Sequence, residues 1–302
     1  MVKVIMSRSA FWEFFIERAI RVTGVSAILF VGLIFLFLIR EGAPAFVEVP
    51  LGDLAKVRWY PTEEYFGLIP LVMGSLLVTL GAALIALPLG LATAIFIAEI
   101  APSWAREVLK PFVEVLAGIP SVVLGFLGMV ALSPLVRQNL GAPTGLTALT
   151  GSVLLALMAL PTIVSVAEDA LDAVPTSYRN AALALGATRW QTIWRVVVPA
   201  ASSGILTGMM LGIGRAIGET MTVMMVTGNA ARVPTGPGDL LMPVRTMTAT
   251  IAAEMGEVAQ GSTHYHILFA IGMVLFLISF LVNLAAAAVV FRQVKRSERI
   301  LS

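Results

Sequence analysis

Cysteine is absent from the 302 residues of this sequence. Its absence excludes disulfides, thiolate metal sites and cysteine nucleophiles together. Charge is also scarce, since Asp, Glu, Lys and Arg make up 13% of the chain, whereas a soluble domain carries about 25%. The net charge is only +2 and the basic residues are scattered, so the sequence does not indicate a nucleic-acid partner.

Hydrophobic residues make up 58% of the chain. They recur in apolar runs of the length that a membrane-spanning helix needs, about 18 residues or more. The strands of an outer-membrane barrel would instead alternate over about 10 residues. We therefore predict an all-α integral membrane protein with a single domain, residues 1–302.

Six apolar segments are long enough to cross a bilayer. They lie at about 22–39, 68–97, 112–132, 146–167, 200–227 and 267–291. A cleaved signal peptide is the alternative for the first segment, because Ala43-Pro44-Ala45 resembles a cleavage triplet. This apolar run is longer than a signal core, and Arg40 and Glu41 precede the triplet, so we favour an uncleaved helix.

Lysine and arginine are distributed unevenly over the two sides of this topology. Thirteen lie at the two termini, near residues 106–110 and in segment 175–199, and six lie in the opposite loops. Cytoplasmic loops carry the excess of basic residues. We therefore expect both termini and segment 175–199 on the cytoplasmic side of the membrane.

The third predicted span contains Gly118, Pro120 and Ser121 near its middle. Proline has no amide hydrogen, so it should interrupt the hydrogen bonds of this helix. Irregular backbone at membrane depth is tolerated only inside protein or beside a water-filled cavity. We expect this segment to face the centre of an assembly, and we expect 133–145, which contains proline and glycine, to form a loop.

The cytoplasmic segment predicts two short helices joined by a glycine turn. Thr176 or Ser177 can cap the first helix, and Gly186 can end it in a left-handed conformation. Thr188 and Gln191 have the spacing of a capping box that begins the second helix.

The first of these helices suits an interface. Ala181 and Ala182 allow another surface to approach closely. Anchors of the kind found at interface hot spots are Tyr178, Arg179, Arg189 and Trp190. On physical grounds alone, docking against a protein and lying on lipid headgroups are equally good interpretations.

The same segment resembles the permease subunits of bacterial ABC importers, whose loop has the pattern E-A-A-x3-G-x9-I-x-L-P. The residues in register with this pattern are Asn180, Ala181, Ala182, Gly186, Val196, Val198 and Pro199. Asn180 stands in place of the usual Glu, and the two valines in place of Ile and Leu. The resemblance implies a coupling helix that docks into a cleft of an ATPase subunit.

A GxxxxGK[ST] phosphate-binding loop is absent from the sequence. Nucleotide hydrolysis therefore cannot be assigned to this chain, and uphill transport would need a motor on another subunit. We expect a transport subunit that is not an enzyme and that holds no cofactor or metal, with ATP bound by its partners.

Arg215 and Glu219 lie four residues apart in the fifth span, so a continuous helix would place them on one face, with Thr222 beside them. Charges inside a membrane usually face the bundle interior or a water-filled path. Arg215 suits an anion, because a guanidinium presents paired donors and stays charged. The alternative is a structural ion pair. Close approach of another helix is predicted by the repeat of Gly204, Gly208 and Gly212.

Three stretches resemble phosphate-specific transport permeases of the PstC type. They are Gly214–Val223, which reads GRAIGETMTV, Leu116–Val123 with Gly125 and Phe126, and Thr246–Phe269. The resemblance covers about Phe66–Asn283. The sister PstA type shares the core Arg-Ala-Ile-Gly-Glu-Thr but typically continues with Ala-Pro. Met221-Thr222-Val223 at this point therefore favours the PstC type.

This resemblance implies a six-helix ABC importer permease of type I, with a MetI-like bundle, in the bacterial inner membrane. The implied partners are a sister permease of the PstA type, two copies of the phosphate ABC ATPase, an extracytoplasmic phosphate-binding protein and membrane lipid. It also implies that Arg215 and Glu219 belong to the translocation path.

Other interpretations remain open from the residues themselves. The chain could be a permease for another oxyanion such as molybdate or sulfate, or the PstA-type sister subunit. A membrane-embedded enzyme would need a catalytic cluster at depth, and a passive channel would not need a cytoplasmic docking segment.

Weaker polar signals have ordinary explanations. Glu99 lies near a span end, where local pairing suffices, and Glu168 fits a solvated helix end. Glu254 could line an entry, meet a binding protein or lie on a solvated helix face. His264 and His266 fit an interfacial aromatic belt better than a metal site, which would need further ligands.

Overall fold

The computed structural model describes residues 8–301, and their secondary structure is almost wholly helical. The helices are α1 (Arg8–Gly42), α2 (Ala45–Glu48), α3 (Leu51–Leu54), α4 (Ile69–Ile95), α5 (Ser103–Gly118), α6 (Ser121–Leu127), α7 (Ser133–Leu140), α8 (Ala148–Asp172), α9 (Thr176–Ala184), α10 (Arg189–Thr192), α11 (Val198–Ala200), α12 (Ser202–Ile217), α13 (Met221–Val226), α14 (Met247–Glu254) and α15 (Thr263–Leu301). A two-stranded antiparallel hairpin pairs β1 (Trp59–Tyr60) with β2 (Tyr65–Phe66).

Wider, π-helical turns extend three of these helices. They are Phe96–Ile100 after α4, Gly128–Leu132 between α6 and α7, and Ile193–Val197 between α10 and α11. Single π-helical turns interrupt the regular hydrogen-bond spacing and occur often at functional sites. Two of the three, Phe96–Ile100 and Ile193–Val197, lie at ends of the spans that the sequence predicts to face the cytoplasm.

Five helices in the described range are long and apolar enough to cross a membrane, or six if a bent pair counts as one span. The five are Trp12–Glu48, Ile69–Ile100, Ser121–Leu140, Ala148–Asp172 and Thr263–Ala285. The bent pair consists of Arg189–Ala200 and Ser202–Ile217, which meet at 71°. The prediction of an all-α membrane protein is confirmed.

The third span begins later than its predicted start at residue 112. Helix α5 ends at Gly118, and Ile119 has an extended backbone (φ −68°, ψ 125°) immediately before Pro120. Proline disfavours helical geometry in the residue that precedes it, so the chain restarts its helix only at Ser121. The predicted interruption is confirmed. The predicted loop 133–145 is wrong in its first part, because 133–140 is helical.

The fifth span is broken rather than continuous over 200–227. Helix α12 ends at Ile217, and the backbone resumes a helix only at Met221. The three residues between them, Gly218 to Thr220, form an irregular segment. We call this segment the α12–α13 break.

The core of the bundle is α8, which packs between α4 and α12. Buried residues recur every four positions along α4, so one narrow stripe of this helix faces α8. These residues are Gly74, Val78, Ala82, Ala86, Gly90 and Ala94. A Cβ atom at Gly90 would lie only 2.6 Å from the Cγ2 atom of Ile163, so the two helix backbones approach more closely than larger residues would permit.

The glycine stripe of α12 lies against the same helix. A Cβ atom at Gly204 would lie 2.4 Å from the Cβ of Ala170, and one at Gly212 would lie 2.4 Å from the Cγ1 of Ile163. The predicted close approach at these glycines is confirmed. Dispersion contacts between closely packed backbones drive helix association in lipid, where hydrophobic burial between helices contributes little.

Helix α1 packs along α15 at the side of this core. The rings of Phe35 and Phe276 stack with their centroids 4.8 Å apart, and Phe37 meets Phe269 edge-on at 5.5 Å. A large share of α1 remains exposed, including Ile28 at 76%. An apolar helix face of this kind suits lipid.

The opposite end of the bundle from segment 175–199 is tied together by Glu254. Its carboxylate accepts hydrogen bonds from Trp59 Nε1 (3.1 Å) and Arg245 Nη2 (2.5 Å), and it pairs with His264 Nε2 at 2.8 Å. The Glu254 side chain is only 15% exposed. The solvated helix face considered for Glu254 is therefore wrong, and His264 has a carboxylate partner.

We predict that Gly212→Ala destabilises the bundle by about 1–3 kcal/mol, because the added methyl group overpacks the contact with Ile163. The measurement is the apparent melting temperature of the purified protein in detergent. Gly32→Ala is the matched control, since a Cβ at Gly32 meets nothing within 4 Å. Equal melting temperatures for the two variants would contradict the packing assigned to α12.

Candidate functional site

The two helix interruptions lie against each other. The hydroxyl of Thr222, at the start of α13, donates a hydrogen bond of 2.8 Å to the carbonyl oxygen of Ser121, at the start of α6. A Cβ at Gly125 would lie 3.2 Å from the Cα of Thr222. One irregular segment therefore satisfies a polar backbone group of the other, which is what the absence of water in a membrane demands.

Thr222 was predicted to line the substrate path, and the structure places it elsewhere. Its side chain is fully buried, and its hydroxyl also lies 3.3 Å from the Sδ atom of Met158. A hydroxyl enclosed in this way cannot reach a solute. We therefore correct its role to that of a link between the α12–α13 break and the start of α6.

Arg215 and Glu219 lie at the α12–α13 break. Both side chains are partly exposed. The spacing had predicted that Arg215 and Glu219 share one face of a continuous helix. Because α12 ends at Ile217, Glu219 lies instead in the irregular segment. Among the ion pairs of the described residues, none forms between Arg215 and Glu219.

The guanidinium of Arg215 has no hydrogen-bond or ion-pair partner among residues 8–301. It lies in the last turn of α12, where the partial negative charge of the helix C-terminus favours a cation. Helix α15 is close by, since a Cβ at Gly214 would lie 3.9 Å from the side-chain oxygen of Asn283. Five N–H donors are thus available to an oxyanion, which a guanidinium can hold through two parallel hydrogen bonds.

Glu219 borders a small cavity rich in hydroxyl groups. Its backbone carbonyl accepts a hydrogen bond of 2.9 Å from the hydroxyl of Thr248 in α14. The lining also includes Ser75 and Thr79 of α4 and Thr246 before α14. The sequence analysis missed these hydroxyl groups, because the relevant residues come from three separate segments.

The cytoplasmic segment has the predicted helix, glycine turn and second helix. Gly186 adopts a left-handed conformation with φ 82°. Thr188 Oγ1 accepts from the Gln191 amide (3.3 Å), and Gln191 Oε1 accepts from the Thr188 amide (2.9 Å), which confirms the capping box. The predicted cap of α9 is wrong, because Pro175 occupies that position without a side-chain hydrogen bond.

An open, mostly apolar groove lies on this segment, which we call the cytoplasmic groove. It is lined by Tyr178, Ala181, Ala182, Leu185, Ala187, Gln191, Arg195 and Val196. Leu185 is 89% exposed and was missed in the sequence analysis. An apolar side chain held this far into water is typical of a surface that a partner covers.

The remaining predicted docking residues differ in their surroundings. Asn180, Arg189 and Trp190 are exposed, and Trp190 contacts Trp194 edge-on with centroids 5.6 Å apart. Arg179 instead turns inward and pairs with Glu99, with a closest distance of 2.5 Å. The side chain of Arg179 therefore lies apart from the exposed side chains predicted for docking.

Glu168 is buried and paired, so the solvated helix end predicted for it is wrong. Its carboxylate is 2% exposed and contacts Arg106 Nη2 at 3.1 Å and Lys110 Nζ at 2.9 Å. The hydrogen bond to Glu168 raises the pKa of Lys110 above its ordinary value. Both cations belong to α5, so this cluster fastens α5 to the C-terminal end of α8.

Comparison with known proteins places this architecture in a family. Residues 86–295 match the family described as binding-protein-dependent transport system inner membrane component. The chain is 44% identical over 234 residues to the probable ABC transporter permease protein YqgH of Bacillus subtilis (strain 168), covering 77% of this chain and 75% of that protein. It is 37% identical over 258 residues to the phosphate transport system permease protein PstC of Mesorhizobium japonicum, covering 79% and 78%.

Solved structures show the same fold at low sequence identity. An inward-facing conformation of the MetNI methionine ABC transporter matches with a TM-score of 0.59 and 20% identity, over 78% of this chain and 99% of that one. A bacterial alginate ABC transporter, in complex with an alginate-bound periplasmic protein, matches with a TM-score of 0.62 and 16% identity, over 91% and 95%. Together with the family match and the closer relatives, this shows that the chain belongs to the inner-membrane components of binding-protein-dependent transport systems.

Proposed function

We propose that this chain is the membrane permease subunit of an ATP-driven phosphate importer and forms half of a heterodimeric translocation path. The observation that carries the proposal is Arg215, a guanidinium without a protein partner in the described range, placed at a helix break inside a membrane span. Relatives named as phosphate transport permeases, among them that of Mesorhizobium japonicum, support phosphate as the substrate.

The geometry suggests how an anion passes. Arg215 offers paired donors to a phosphate oxygen, and the hydroxyl groups of Ser75 and Thr79 lie nearby, around Glu219. The negative charge of Glu219 opposes permanent capture, since like charges repel across a short distance of low dielectric. An anion therefore meets enough attraction to enter the membrane and enough repulsion to leave it.

Transport against a gradient needs an energy source outside this chain. We place an ATPase subunit on the cytoplasmic groove, where the exposed Leu185 and Trp190 supply apolar anchors. The complete assembly would contain a sister permease of the PstA type, two ATPase copies and an extracytoplasmic phosphate-binding protein. Both termini of this chain would lie in the cytoplasm, in agreement with the excess of basic residues there.

Arg215→Ala should lower phosphate uptake by about 10-fold to 100-fold, because it removes a charged hydrogen-bond donor from the path. The measurement is uptake of radiolabelled phosphate by the reconstituted complex. Arg137→Ala is the matched control, since Arg137 is an exposed arginine of α7. Unchanged uptake would refute the role given to Arg215. Loss of uptake that is explained by loss of assembly would also refute it, because Arg215 would then have a structural role.

Leu185→Asp should weaken binding of the ATPase subunit by about tenfold or more, because it places a charge where an apolar side chain is to be covered. Co-purification of the ATPase with the membrane subunits measures this. Leu183→Asp is the control, because Leu183 is a 45% exposed leucine of α9, two residues before Leu185, and does not line the cytoplasmic groove. Equal retention of the ATPase by both variants would exclude docking at this groove.

Phosphate and arsenate should compete with uptake of labelled phosphate far better than sulfate and molybdate do. Addition of unlabelled phosphate or arsenate is expected to suppress uptake of labelled phosphate by the complete complex, because the two anions share shape and charge. Sulfate and molybdate are expected to have little effect. Strong inhibition by molybdate or sulfate would instead support a permease for that oxyanion.

A further inference from the structure

The side chain of Arg179 connects the docking helix α9 to span α4. Its Nη2 and Nε atoms lie 2.5 Å and 3.2 Å from Glu99 Oε1, and Nε lies 3.4 Å from Glu99 Oε2. Glu99 belongs to the π-helical turn Phe96–Ile100, which ends α4. The two side chains are 20% and 10% exposed, so water is largely excluded from the pair.

The remaining donors of Arg179 bind a third element. Nη1 donates to the carbonyl oxygen of Val174 and Nη2 to that of Leu171, at 2.5 Å and 2.9 Å. Leu171 lies in the last turn of α8, whose final carbonyl groups have no partners within the helix. The side chain of Arg179, a residue of α9, therefore contacts both the end of α4 and the end of α8.

No other side-chain ion pair joins α9 to α4 in the part of the chain that the structure describes. The neighbouring apolar cluster includes Ile97, Val174 and Ile193, and none of its described members belongs to α9. Apolar contacts are also non-directional, so this cluster does not fix the orientation of α9 relative to α4. A guanidinium–carboxylate contact with several hydrogen bonds fixes both distance and direction.

Helix stability alone does not account for the carboxylate of Glu99. The carbonyl groups of Leu171 and Val174 would be satisfied by Arg179 without it. A buried ion pair is also weak evidence for stability, because well-packed apolar residues can often replace it at no loss. What the pair contributes is a defined geometry between a docking helix and a membrane span.

We propose that Glu99 and Arg179 form the joint through which movement of α9 displaces the cytoplasmic end of α4. Both are positioning residues, and Arg179 acts inward on Glu99 and not on the ATPase surface. This inference rests on the proposed function and deepens it. The π-helical turn that carries Glu99 gives the end of α4 an interrupted hydrogen-bond ladder, where a bend is easier than in a regular helix.

The test uses the complete complex in proteoliposomes and measures phosphate taken up per ATP hydrolysed. Glu99→Gln removes the charge with little change in shape, and the ratio should fall at least about fivefold, the lower range of coupling between distant sites. Glu99→Asp retains the carboxylate and should recover part of the ratio. Glu107→Gln is the matched control, because Glu107 is an exposed carboxylate on α5, and its ratio should equal that of the wild type.

A second readout does not depend on the transported solute. Because the chain has no cysteine, spin labels can be attached at Ser177→Cys on α9 and Ile100→Cys at the end of α4, both exposed positions. With the joint intact, the distance between the labels should stay constant when ATP binds. In Glu99→Gln it should change, since α9 then moves without α4.

The outcomes separate the joint from the proposed function. A wild-type ratio and a constant label distance in Glu99→Gln would overturn the joint. If Glu99→Gln fails to assemble, Glu99→Asp carries the test. A loss of coupling of about fivefold in Glu99→Asp with a constant label distance would overturn the joint, because coupling would then be lost without relative movement of α9 and α4. A wild-type complex without ATP-driven phosphate uptake, but with a label distance that depends on Glu99, would refute phosphate import and support the joint.

Discussion

Every polar backbone group that leaves a helix within a membrane needs a partner inside the protein. Two interruptions of this kind in the described part of the chain lie before Ser121 and before Met221. The hydrogen bond from Thr222 to the Ser121 carbonyl brings them together. Much of the remaining architecture serves that contact, because the small-residue stripes of α4 and α12 hold α8 at the distance that lets both broken segments reach the same region.

The broken helix also determines what Arg215 can do. In a continuous helix, Glu219 would lie one turn from Arg215 and could neutralise it. The end of α12 at Ile217 places Glu219 beside Ser75, Thr79 and Thr248 instead. A positive charge in a membrane span thereby remains without a protein partner in the described range, and insertion of such a charge is costly enough that a functional role is its usual explanation.

Sequence patterns predicted the features that depend on local chemistry. Pro120 interrupts its helix, Gly186 turns the chain, and Thr188 begins a helix, because each effect arises from a residue and its immediate neighbours. Glu168 and Thr222 were misread, since their partners lie 62 and 101 residues away in sequence. Such pairings depend on which helices are adjacent, and apolar spans of similar composition do not reveal their neighbours.

Arg179 was misread for a related reason. As a long cation on a helix predicted to dock, it has the features of an interface anchor, whereas Leu185 lies next to a glycine and carries no distinguishing signal in the sequence. Their true environments are reversed: Arg179 is mostly enclosed and Leu185 is 89% exposed. Only the contacts of the Arg179 side chain with Glu99, Leu171 and Val174 distinguish them.

The exposure of Leu185 and Trp190 has a consequence for biogenesis. On the proposed topology and docking, a newly inserted copy of this subunit presents these apolar side chains to the cytosol until the ATPase covers them. Exposed apolar surface of this kind promotes aggregation and attracts chaperones and proteases. Under the proposed docking, surplus copies would be removed because of the same side chains that bind the ATPase, and the abundance of this membrane subunit would follow the supply of its partner.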